Sequence, residues 1–357
     1  MSQLLPLQDM PRELCILRLS ALGDVTHVVP VIRAIRAHWP ATRITWIIGK
    51  PEHRLLRNMT GVEFITYDKQ GGLPAVLELR RSLRTREFDV LLHMQVAARA
   101  NIISRLVRAP IRLGWDRSRS RDGHQWFVNH TVPKVPFQHQ VEGFGEFAKA
   151  LGVPVSEPQW QLPIQDKDRS WAADRLPDDC PVLMISPCSS HPLRNWRNTF
   201  YARLADHAAG NLGMQVVLIG GPGELEQTTG AAIQQAMSTQ AMNLIGKDTL
   251  GQSMALMEKA AVLLSPDAGP AHIASALGTP VIGLYAATWS RRSGPFNSLQ
   301  HCVDCFPAAA RKFRAKEPEE LRWGTRIEVP GVMDLVEPGY VIEKLDQLAQ
   351  QFSSPHS

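Results

Sequence analysis

The stretch VLLSPDAGPAHIASALGTPVIGLY, from Val262 to Tyr285, has the pattern with the clearest chemical meaning in this sequence. An apolar strand runs into a turn of small residues around Asp267 and Gly269, which is followed by a helix and a second apolar strand. The first N–H groups of such a helix lack partners within it, and the helix dipole makes that end positive. Both properties favour the binding of a phosphate or diphosphate. An ordinary strand–helix–strand crossover without a ligand is the alternative.

Two other segments of the second half offer groups that bind a nucleotide. SPCSSHPLRNW follows a buried apolar run, and its Ser189 and Ser190 hydroxyls can donate to phosphate while the Arg194 guanidinium neutralises the charge. In IGGPGELEQ three glycines let a ligand approach the backbone, and Glu224 can accept hydrogen bonds from ribose hydroxyls. A solvated loop and an acid favoured in a first helical turn are the respective alternatives.

One carboxylate of the first half, Asp24, lies in the turn LSALGDVTHVVP directly after an apolar strand. Capping a helix N-terminus is a common use of aspartate at such a place. Pro30 argues against one helix that begins at Val25, because proline beyond the first helical turn costs up to ~3 kcal/mol. The sequence therefore leaves two interpretations of Asp24, a structural cap and a carboxylate with a chemical role.

Arginines make the first half basic. Residues 1–150 contain 22 Lys and Arg against 13 Asp and Glu, a net charge of +9, whereas residues 151–357 contain 17 against 21, a net charge of −4. Such a difference indicates an anionic partner for the first half, although a solvated surface is the usual role of exposed arginine. The groups that we predict to bind this partner are Arg80, Arg81 and Arg84, and Arg117, Arg119 and Arg121. They mostly lack the interleaved aromatic residues typical of nucleic-acid binding, so no nucleic acid is expected.

Strands and helices must alternate along the chain to position these residues. Strands are predicted over residues 14–19, 44–48, 62–67, 89–94, 182–186, 215–219, 244–245 and 262–264. The predicted helices include one with Val28, Ile32 and Ile35 on its apolar face, one over residues 199–209 capped by Asn198, and a last one with Val341, Leu345 and Leu348 on one face. The alternation predicts an α/β protein with doubly wound, mainly parallel sheets.

The length of the chain and a change in composition along it predict two domains. At 357 residues the chain exceeds the size at which one hydrophobic core stops growing. A polar, proline-flanked segment after Gly152 separates a Rossmann-like domain over residues 1–165 from a second over residues 166–339. We expect the two to face each other across a cleft, with the carboxyl ends of their strands toward it.

Several features argue against membrane spans, metals and nicotinamide cofactors. No apolar run reaches the ~20 residues of a membrane span, and the first residues lack a secretory signal, so we expect a cytoplasmic protein. The pair Cys302 and Cys305 has too few further ligands nearby for zinc. IGGPGELEQ is not the GxGxxG pattern with its later acid. We predict neither a metal nor a cofactor.

Four motifs in this order, LRLSALGDVTHVVP, SSHPLRNW, GGPGE and SPDAGPAHIASALGTPVIGLY, resemble glycosyltransferase family 9, the ADP-heptose:lipopolysaccharide heptosyltransferases. The resemblance covers nearly the whole chain. GWDRSRSRDGHQWFVNH followed by QHQVEGFGEFAKALG is more similar to the heptosyltransferase I branch than to the II branch. The resemblance implies a GT-B fold with an N-terminal acceptor domain, a C-terminal nucleotide-sugar domain, and a last helix over residues 340–357 that crosses back to the first domain.

The resemblance also implies roles for individual residues. It makes Asp24 the general base, Ser189 and Ser190 the phosphate-binding hydroxyls, and Glu224 the nucleoside-binding acid. The loop for the diphosphate and sugar would consist of Asp267, Ala268, Gly269 and His272. Two positions depart from the family pattern, since Arg194 stands where lysine is expected and Ala268 where threonine is common.

The resemblance, with which these residues are consistent, implies an inverting, metal-independent transferase that moves heptose from ADP-heptose to the Kdo region of the lipopolysaccharide inner core, with Kdo–lipid A or a related acceptor. The arginine groups would hold the anionic acceptor and bring the enzyme into transient, peripheral contact with the inner face of the inner membrane. A noncatalytic nucleotide-binding or polyanion-binding protein is one alternative. A family 9 transferase that uses another nucleotide sugar is a second.

Overall fold

The structure is a computed structural model that describes residues 5–352, and the chain divides into two compact units, Met1–Pro163 and Ile164–Ser357. Each unit contains its own parallel sheet, helices and hydrophobic core. None of the helices within residues 5–352 is long and apolar enough to cross a bilayer.

The first unit is built on six parallel strands. The strands are β1 (Glu13–Leu17), β2 (Arg43–Gly49), β3 (Glu63–Tyr67), β4 (Val90–His93), β5 (Ile111–Gly114) and β6 (His130–Thr131). The helices are α1 (Leu22–Thr26), α2 (Val29–His38), α3 (Lys50–Leu56), α4 (Gly72–Leu83), α5 (Ala98–Ser104) and α6 (Gln140–Leu151). The strand order β3-β2-β1-β4-β5-β6 is that of a doubly wound sheet.

Central strands of this sheet are apolar because both of their faces are covered. In β1 the residues Leu14 to Leu17 are completely buried, and Leu14 pairs with Ile44 on one side and Val90 on the other. Helices α4 and α5 cover one face of the sheet, where their apolar residues share a core with β1 and β4.

The second unit repeats this architecture. Its strands are β7 (Val182–Ile185), β8 (Gln215–Leu218), β9 (Met242–Asn243), β10 (Val262–Pro266), β11 (Val281–Tyr285) and β12 (Val303–Asp304). Its helices are α7 (Asp166–Ala173), α8 (Asn198–Leu212), α9 (Glu224–Ala236), α10 (Leu250–Lys259), α11 (Gly269–Leu277), α12 (Ser290–Ser293), α13 (Phe306–Arg314) and α14 (Pro338–Phe352). All pairings are parallel, in the order β12-β11-β10-β7-β8-β9.

The predicted α/β class and doubly wound sheets are confirmed, whereas three local predictions need correction. The predicted first helix is two helices, and Pro30 lies in the first turn of α2, where its missing N–H costs nothing. Asn198 is the first residue of α8 and not its cap, since the cap position is Arg197. The short strand predicted over residues 244–245 lies two residues earlier, at Met242–Asn243.

Helix α14 buries the predicted apolar face, with Val341, Leu345 and Leu348 in the core of the second unit. It packs against α8, β11 and β12. Its predicted crossing to the first domain stays a prediction.

Candidate active site

The strand orders locate the expected binding edge in each unit. In a doubly wound sheet, ligands bind beyond the carboxyl ends of the strands at the point where the strand order reverses. That point lies between β1 and β4 in the first sheet, and between β7 and β10 in the second. Asp24 follows β1, Arg194 follows β7, and Asp267 follows β10. The sequence-predicted residues therefore lie at the expected edge of each sheet.

Helix α11 begins at the carboxyl end of β10, as the sequence predicts. Ala268 is its cap residue, in extended conformation (φ −147°, ψ 164°), and no side chain caps the helix. Its first turn holds Gly269 and Pro270, and its last is closed by Gly278 in the left-handed region (φ 90°). The first N–H groups of α11 thus have no side-chain cap at the cap position, an arrangement that suits an anionic ligand.

A compact group of charged side chains surrounds the start of α11. Arg194 is only 7% exposed and donates from Nε and Nη2 to Glu328 Oε1, over 2.8 and 2.5 Å. Its Nη1 lies 3.9 Å from Asp267 Oδ2, and Asp267 Oδ1 lies 3.7 Å from His272 Nε2. The guanidinium proposed to bind phosphate is therefore already paired with two carboxylates.

Charge and hydrogen bonding keep these two carboxylates ionised. Burial opposes ionisation of Asp267, but hydrogen bonds from His272 and Thr288 and the charge of Arg194 bring its pKa below the ordinary value. Burial likewise opposes ionisation of Glu328, and the bonded Arg194 outweighs it, so the pKa of Glu328 is also lowered. Both side chains therefore carry negative charge at neutral pH.

The serine loop after β7 places its two hydroxyls differently. Ser189 is buried, its N–H donates to Asn195 Oδ1 (2.7 Å), and its hydroxyl donates to the His191 carbonyl (2.9 Å). Ser190 is exposed. Ser189 thus shapes the loop, and the Ser190 hydroxyl is the one that an incoming ligand reaches more easily.

Two acids lie at the glycine loop after β8. Glu224 is the exposed first residue of α9, close to the place that the sequence predicts for a nucleoside. Glu226 folds back over the loop, and a side chain on Gly223 would collide with its carboxylate. Glu226 was not among the residues predicted from the sequence, although it lies only two residues after Glu224.

In the first unit, three donors hold the carboxylate of Asp24. Gln140 Nε2 donates to Oδ1 (2.7 Å), the Ala21 N–H donates to Oδ2 (3.1 Å), and the Arg18 guanidinium forms an ion pair with Oδ2. The Asp24 side chain remains 26% exposed. Asp24 is therefore not the helix cap that one interpretation predicted, because the cap position of α1 is Ala21 and Asp24 is the third residue of the helix, where it accepts the Ala21 N–H. Its carboxylate is still open to a ligand, as the other interpretation requires.

The structure separates the two groups of predicted acceptor-binding arginines. Arg117, Arg119 and Arg121 follow β5 and lie at the same edge of the sheet as Asp24, whereas Arg80, Arg81 and Arg84 lie at the end of α4, where the chain returns to the amino-terminal edge. In the first group Arg119 pairs with Asp116 and lies over the Trp115 ring, 4.8 Å from its centroid. Arg117 and Arg121 are exposed.

Besides Glu226, four contributors to these sites were not predicted from the sequence: Arg18, Gln140, Thr288 and Glu328. Thr288 had a signal, because it follows strand β11 at the binding edge. Gln140, at the start of α6, is 116 residues from Asp24, and Glu328 is 134 residues from Arg194 and follows no strand. No local pattern relates the latter two to their partners.

The CxxC pair takes part in packing. Cys305 Sγ donates to the Leu335 carbonyl (3.2 Å), and Cys302 Sγ to the Ser298 carbonyl (3.7 Å). Within residues 5–352, no three His, Cys, Asp or Glu side chains come together in a way that could hold a metal ion.

Comparison with known proteins places this chain in a family. The family model "Glycosyltransferase family 9 (heptosyltransferase)" matches residues 76–322. The lipopolysaccharide core heptosyltransferase OpsX of Haemophilus influenzae is 38% identical over 95% of this chain and 98% of its own length.

Solved structures show the same fold. The glycosyl transferase family 9 protein of Veillonella parvula matches with a TM-score of 0.77 at 22% identity, over 95% of this chain and 97% of that chain. The ADP-heptose lps heptosyltransferase II of Escherichia coli matches with a TM-score of 0.72 at 21% identity, over 96% and 100%. These matches confirm the predicted GT-B fold.

The branch within the family is not distinguished by identity. Lipopolysaccharide heptosyltransferase 2 of Salmonella typhimurium is 26% identical over 74% of this chain and 80% of its own length. Lipopolysaccharide heptosyltransferase 1 of Pseudomonas aeruginosa is 23% identical over 82% and 84%. The resemblance to the heptosyltransferase I branch stays a prediction, but the long family match and the 38% identity over nearly two complete chains show that this protein belongs to glycosyltransferase family 9, the heptosyltransferases.

Proposed function

We propose that this heptosyltransferase moves heptose from ADP-heptose to the Kdo region of the lipopolysaccharide inner core, with inversion at the anomeric carbon and without a metal. The observation that carries the proposal is the 38% identity, over nearly both complete chains, to a lipopolysaccharide core heptosyltransferase. The geometry of the two binding edges supports it, because one edge offers groups for a diphosphate and the other a carboxylate that a ligand can reach.

The second unit is proposed to hold the donor. Arg194 and the N-terminus of α11 would stabilise the charge that develops on the leaving diphosphate, and the Ser190 hydroxyl would donate to it. Glu224 would accept from the ribose hydroxyls. Asp267 would position His272 and Arg194, since it contacts both of them.

The first unit is proposed to supply the base. As the acceptor oxygen attacks the anomeric carbon from the face opposite the diphosphate, Asp24 would take the proton of that hydroxyl. The new glycosidic bond forms while the bond to ADP breaks, and ADP leaves with the electron pair. Gln140 and Arg18 would fix the direction of the carboxylate, because each bonds one of its oxygens.

The acceptor is proposed to be lipid-anchored and anionic. Arg117 and Arg121 are exposed at the same edge of the sheet as Asp24, so they suit the carboxylates and phosphates of a Kdo–lipid A acceptor. Such an acceptor requires a cytoplasmic enzyme that works in peripheral contact with the inner membrane.

Incubation with a panel of nucleotide sugars tests this function. We expect ADP release from ADP-heptose only when Kdo–lipid A is present, and a product heavier than the acceptor by one heptosyl residue. Turnover of another nucleotide sugar would instead support a family 9 transferase with a different donor. ADP binding without any transfer would support the noncatalytic alternative.

A further inference from the structure

An apolar patch on the first unit plays no part in the proposed chemistry. Among the residues that the structure describes, seven large apolar side chains are exposed, and four of them lie on neighbouring parts of this unit. Leu73 (69% exposed) and Leu77 (50%) lie on α4, Ile102 (63%) lies on α5, and Trp126 (79%) lies in the short helical segment His124–Trp126. Solvent exposure of so much apolar surface indicates a binding surface.

Hydrogen bonds join α5 to the residues before α4 on one side and to the segment His124–Trp126 on the other. Helix α5 reaches the residues before α4, because Arg99 Nη1 donates to the Lys69 carbonyl (2.5 Å). One turn beyond Ile102, Arg105 Nη2 donates to the Trp126 carbonyl (2.6 Å). Beneath the exposed residues, α4 and α5 share one buried core. The four apolar side chains therefore lie on elements that these bonds and the shared core hold close to one another.

Basic residues accompany these apolar side chains. On α4 the exposed positions continue from Leu73 and Leu77 to Arg80, Arg81 and Arg84, with Glu78 as the exposed acid of this helix. Arg99 of α5 and Arg105, the residue that follows its last turn, lie one turn before and after Ile102. We call this surface the α4–α5 face. It consists of Leu73, Leu77, Arg80, Arg81, Arg84, Arg99, Ile102, Arg105 and Trp126.

We propose that the α4–α5 face docks on a bilayer that contains anionic phospholipids. Apolar side chains that enter the interface, next to arginines that attract the headgroups, are the combination that binds such a surface. Two copies of this face would bring five arginines against five, so charge disfavours self-association. The proposal rests on the proposed function for its purpose, since a lipid-anchored acceptor lies in a bilayer. It gives Arg80, Arg81 and Arg84 a role at a surface away from Asp24.

Flotation with vesicles tests the proposal without any sugar substrate. The full-length protein is mixed with vesicles of phosphatidylcholine alone, or with 30% phosphatidylglycerol added. We expect the wild type to float with the anionic vesicles and far less with the neutral ones. We expect Arg80→Gln/Arg81→Gln/Arg84→Gln to lower the affinity for anionic vesicles at least tenfold, because each arginine near such a surface contributes about 1 kcal/mol. Leu73→Ser/Leu77→Ser/Trp126→Ser should lower affinity for the same vesicles.

Matched variants of the second unit serve as controls. Arg311→Gln/Lys312→Gln/Arg314→Gln removes three exposed cations of α13, and Leu225→Ser removes an exposed leucine of α9. Both should bind vesicles as the wild type does. Circular dichroism and ADP affinity report whether every variant is folded.

Three outcomes would overturn the docking proposal: a wild type that ignores anionic vesicles, α4–α5 variants that bind as the wild type does, or controls that lose binding equally. Loss of a dimer in the Leu73→Ser/Leu77→Ser/Trp126→Ser variant, seen by light scattering, would assign the face to a second copy of the chain and would also overturn the docking proposal.

Vesicle binding by a protein that transfers no heptose would contradict the proposed function alone. Heptose transfer without vesicle binding would contradict the docking proposal alone.

Discussion

At the residue scale, Asp24 has both a structural and a proposed chemical use, and its replacement separates them. We expect Asp24→Ala and Asp24→Asn to lower kcat by roughly 10²–10⁴-fold, because a general base contributes about that much. The dissociation constant for ADP should stay within about twofold of wild type, since the proposed donor groups lie in the second unit. Steady-state kinetics and calorimetry measure the two quantities.

The structural use of Asp24 requires its own control. Loss of the contacts to Ala21 and Arg18 would lower stability in both variants, so each is compared with Gln140→Leu, which removes only the Gln140 contact. Gln140→Leu should lower kcat less than the Asp24 variants and leave ADP affinity unchanged. Near-normal transfer by folded Asp24→Ala would remove Asp24 from the mechanism.

Glu328 lies where the proposed diphosphate would meet Arg194, and its charge opposes that ligand. Glu328→Gln keeps an oxygen for the guanidinium but removes one of the two negative charges that face it. We expect ADP to bind about three- to tenfold more tightly, an effect of roughly 1 kcal/mol that is modest for a charge a few ångströms from a phosphate. Calorimetry at pH 7.5 measures this change.

The exposed Glu319→Gln is the matched control for overall charge, and it should leave ADP affinity unchanged. Unchanged or weaker binding of ADP to Glu328→Gln would show that this carboxylate does not compete with the diphosphate. Weaker binding would indicate that Arg194 needs the full charge of Glu328 to stay in place.

The sequence predicted residues whose surroundings are local and missed those whose partners are distant. Asp267 and Gly269 could be predicted because one strand, turn and helix define their environment. Glu328 could not, because only tertiary folding brings it to Arg194 across 134 residues. The arginines show a related limit, since composition grouped Arg80 with Arg117 but topology sends them to opposite edges of one sheet.

At the scale of elements, periodicity predicted buried helix faces better than helix ends. Val341, Leu345 and Leu348 of α14 are all buried, because a repeat over several turns is a strong signal. Helix starts depend on one or two residues, and the prediction that Asn198 caps α8 was wrong. Pro30 showed correctly that one long helix is unfavourable, but it did not show that a separate helix α1 precedes it.

A buried histidine pair joins β4, α5 and the segment after β5. His93 Nε2 and His124 Nδ1 each lie 2.9 Å from Asn101 Oδ1, and His124 Nε2 accepts the Trp115 N–H (3.1 Å). His124 therefore carries its proton on Nδ1. Burial lowers the pKa of His124 to about 4, and burial with the neighbouring His124 lowers the pKa of His93 well below its ordinary value.

This junction makes the first unit sensitive to mild acid. An unfolded histidine has a pKa near 6.5, so between about pH 6.5 and 4 the unfolded chain binds protons that the folded junction does not. The free energy of unfolding should therefore fall as the pH falls through this range, by roughly 2 kcal/mol from His124 between pH 7.5 and 5.0. Hydrogen exchange in urea, read on peptides from β4 and β5 at pH 7.5 and 5.0, measures the change.

Replacement of His124 checks the cause. His124→Gln should be less stable than wild type at pH 7.5 but should lose less stability between pH 7.5 and 5.0. The exposed His38→Gln is the control, and it should keep the wild-type pH dependence. An equal loss in wild type and His124→Gln would mean that other groups cause the acid sensitivity.

At the scale of the whole molecule, the division of charge along the chain agrees with the division of tasks that we propose. The basic residues 1–150, with a net charge of +9, contain the α4–α5 face, whereas the donor groups lie in the mildly acidic residues 151–357. Sequence alone predicted the basic half and its anionic partner. It could not predict that α4 and α5 bring their apolar and basic residues together, because this depends on the crossover that puts both helices on one face of the sheet.

Salt should therefore affect the two substrates unequally. Exposed charges are screened beyond a Debye length, which shrinks from roughly 14 Å at 0.05 M salt to about 4 Å at 0.5 M, whereas buried pairs are screened much less. The arginines of the α4–α5 face are mostly exposed, and Arg194 is 7% exposed. We expect the KM for Kdo–lipid A in anionic vesicles to rise at least tenfold over this range, and the dissociation constant for ADP to change less than about threefold.

The same acceptor in neutral detergent should show a weaker salt dependence, because only Arg117, Arg121 and their neighbours then contribute. An equal salt effect on vesicle-bound and detergent-dispersed acceptor would locate the electrostatic attraction in the acceptor itself, and the charge of the first unit would then serve substrate binding alone.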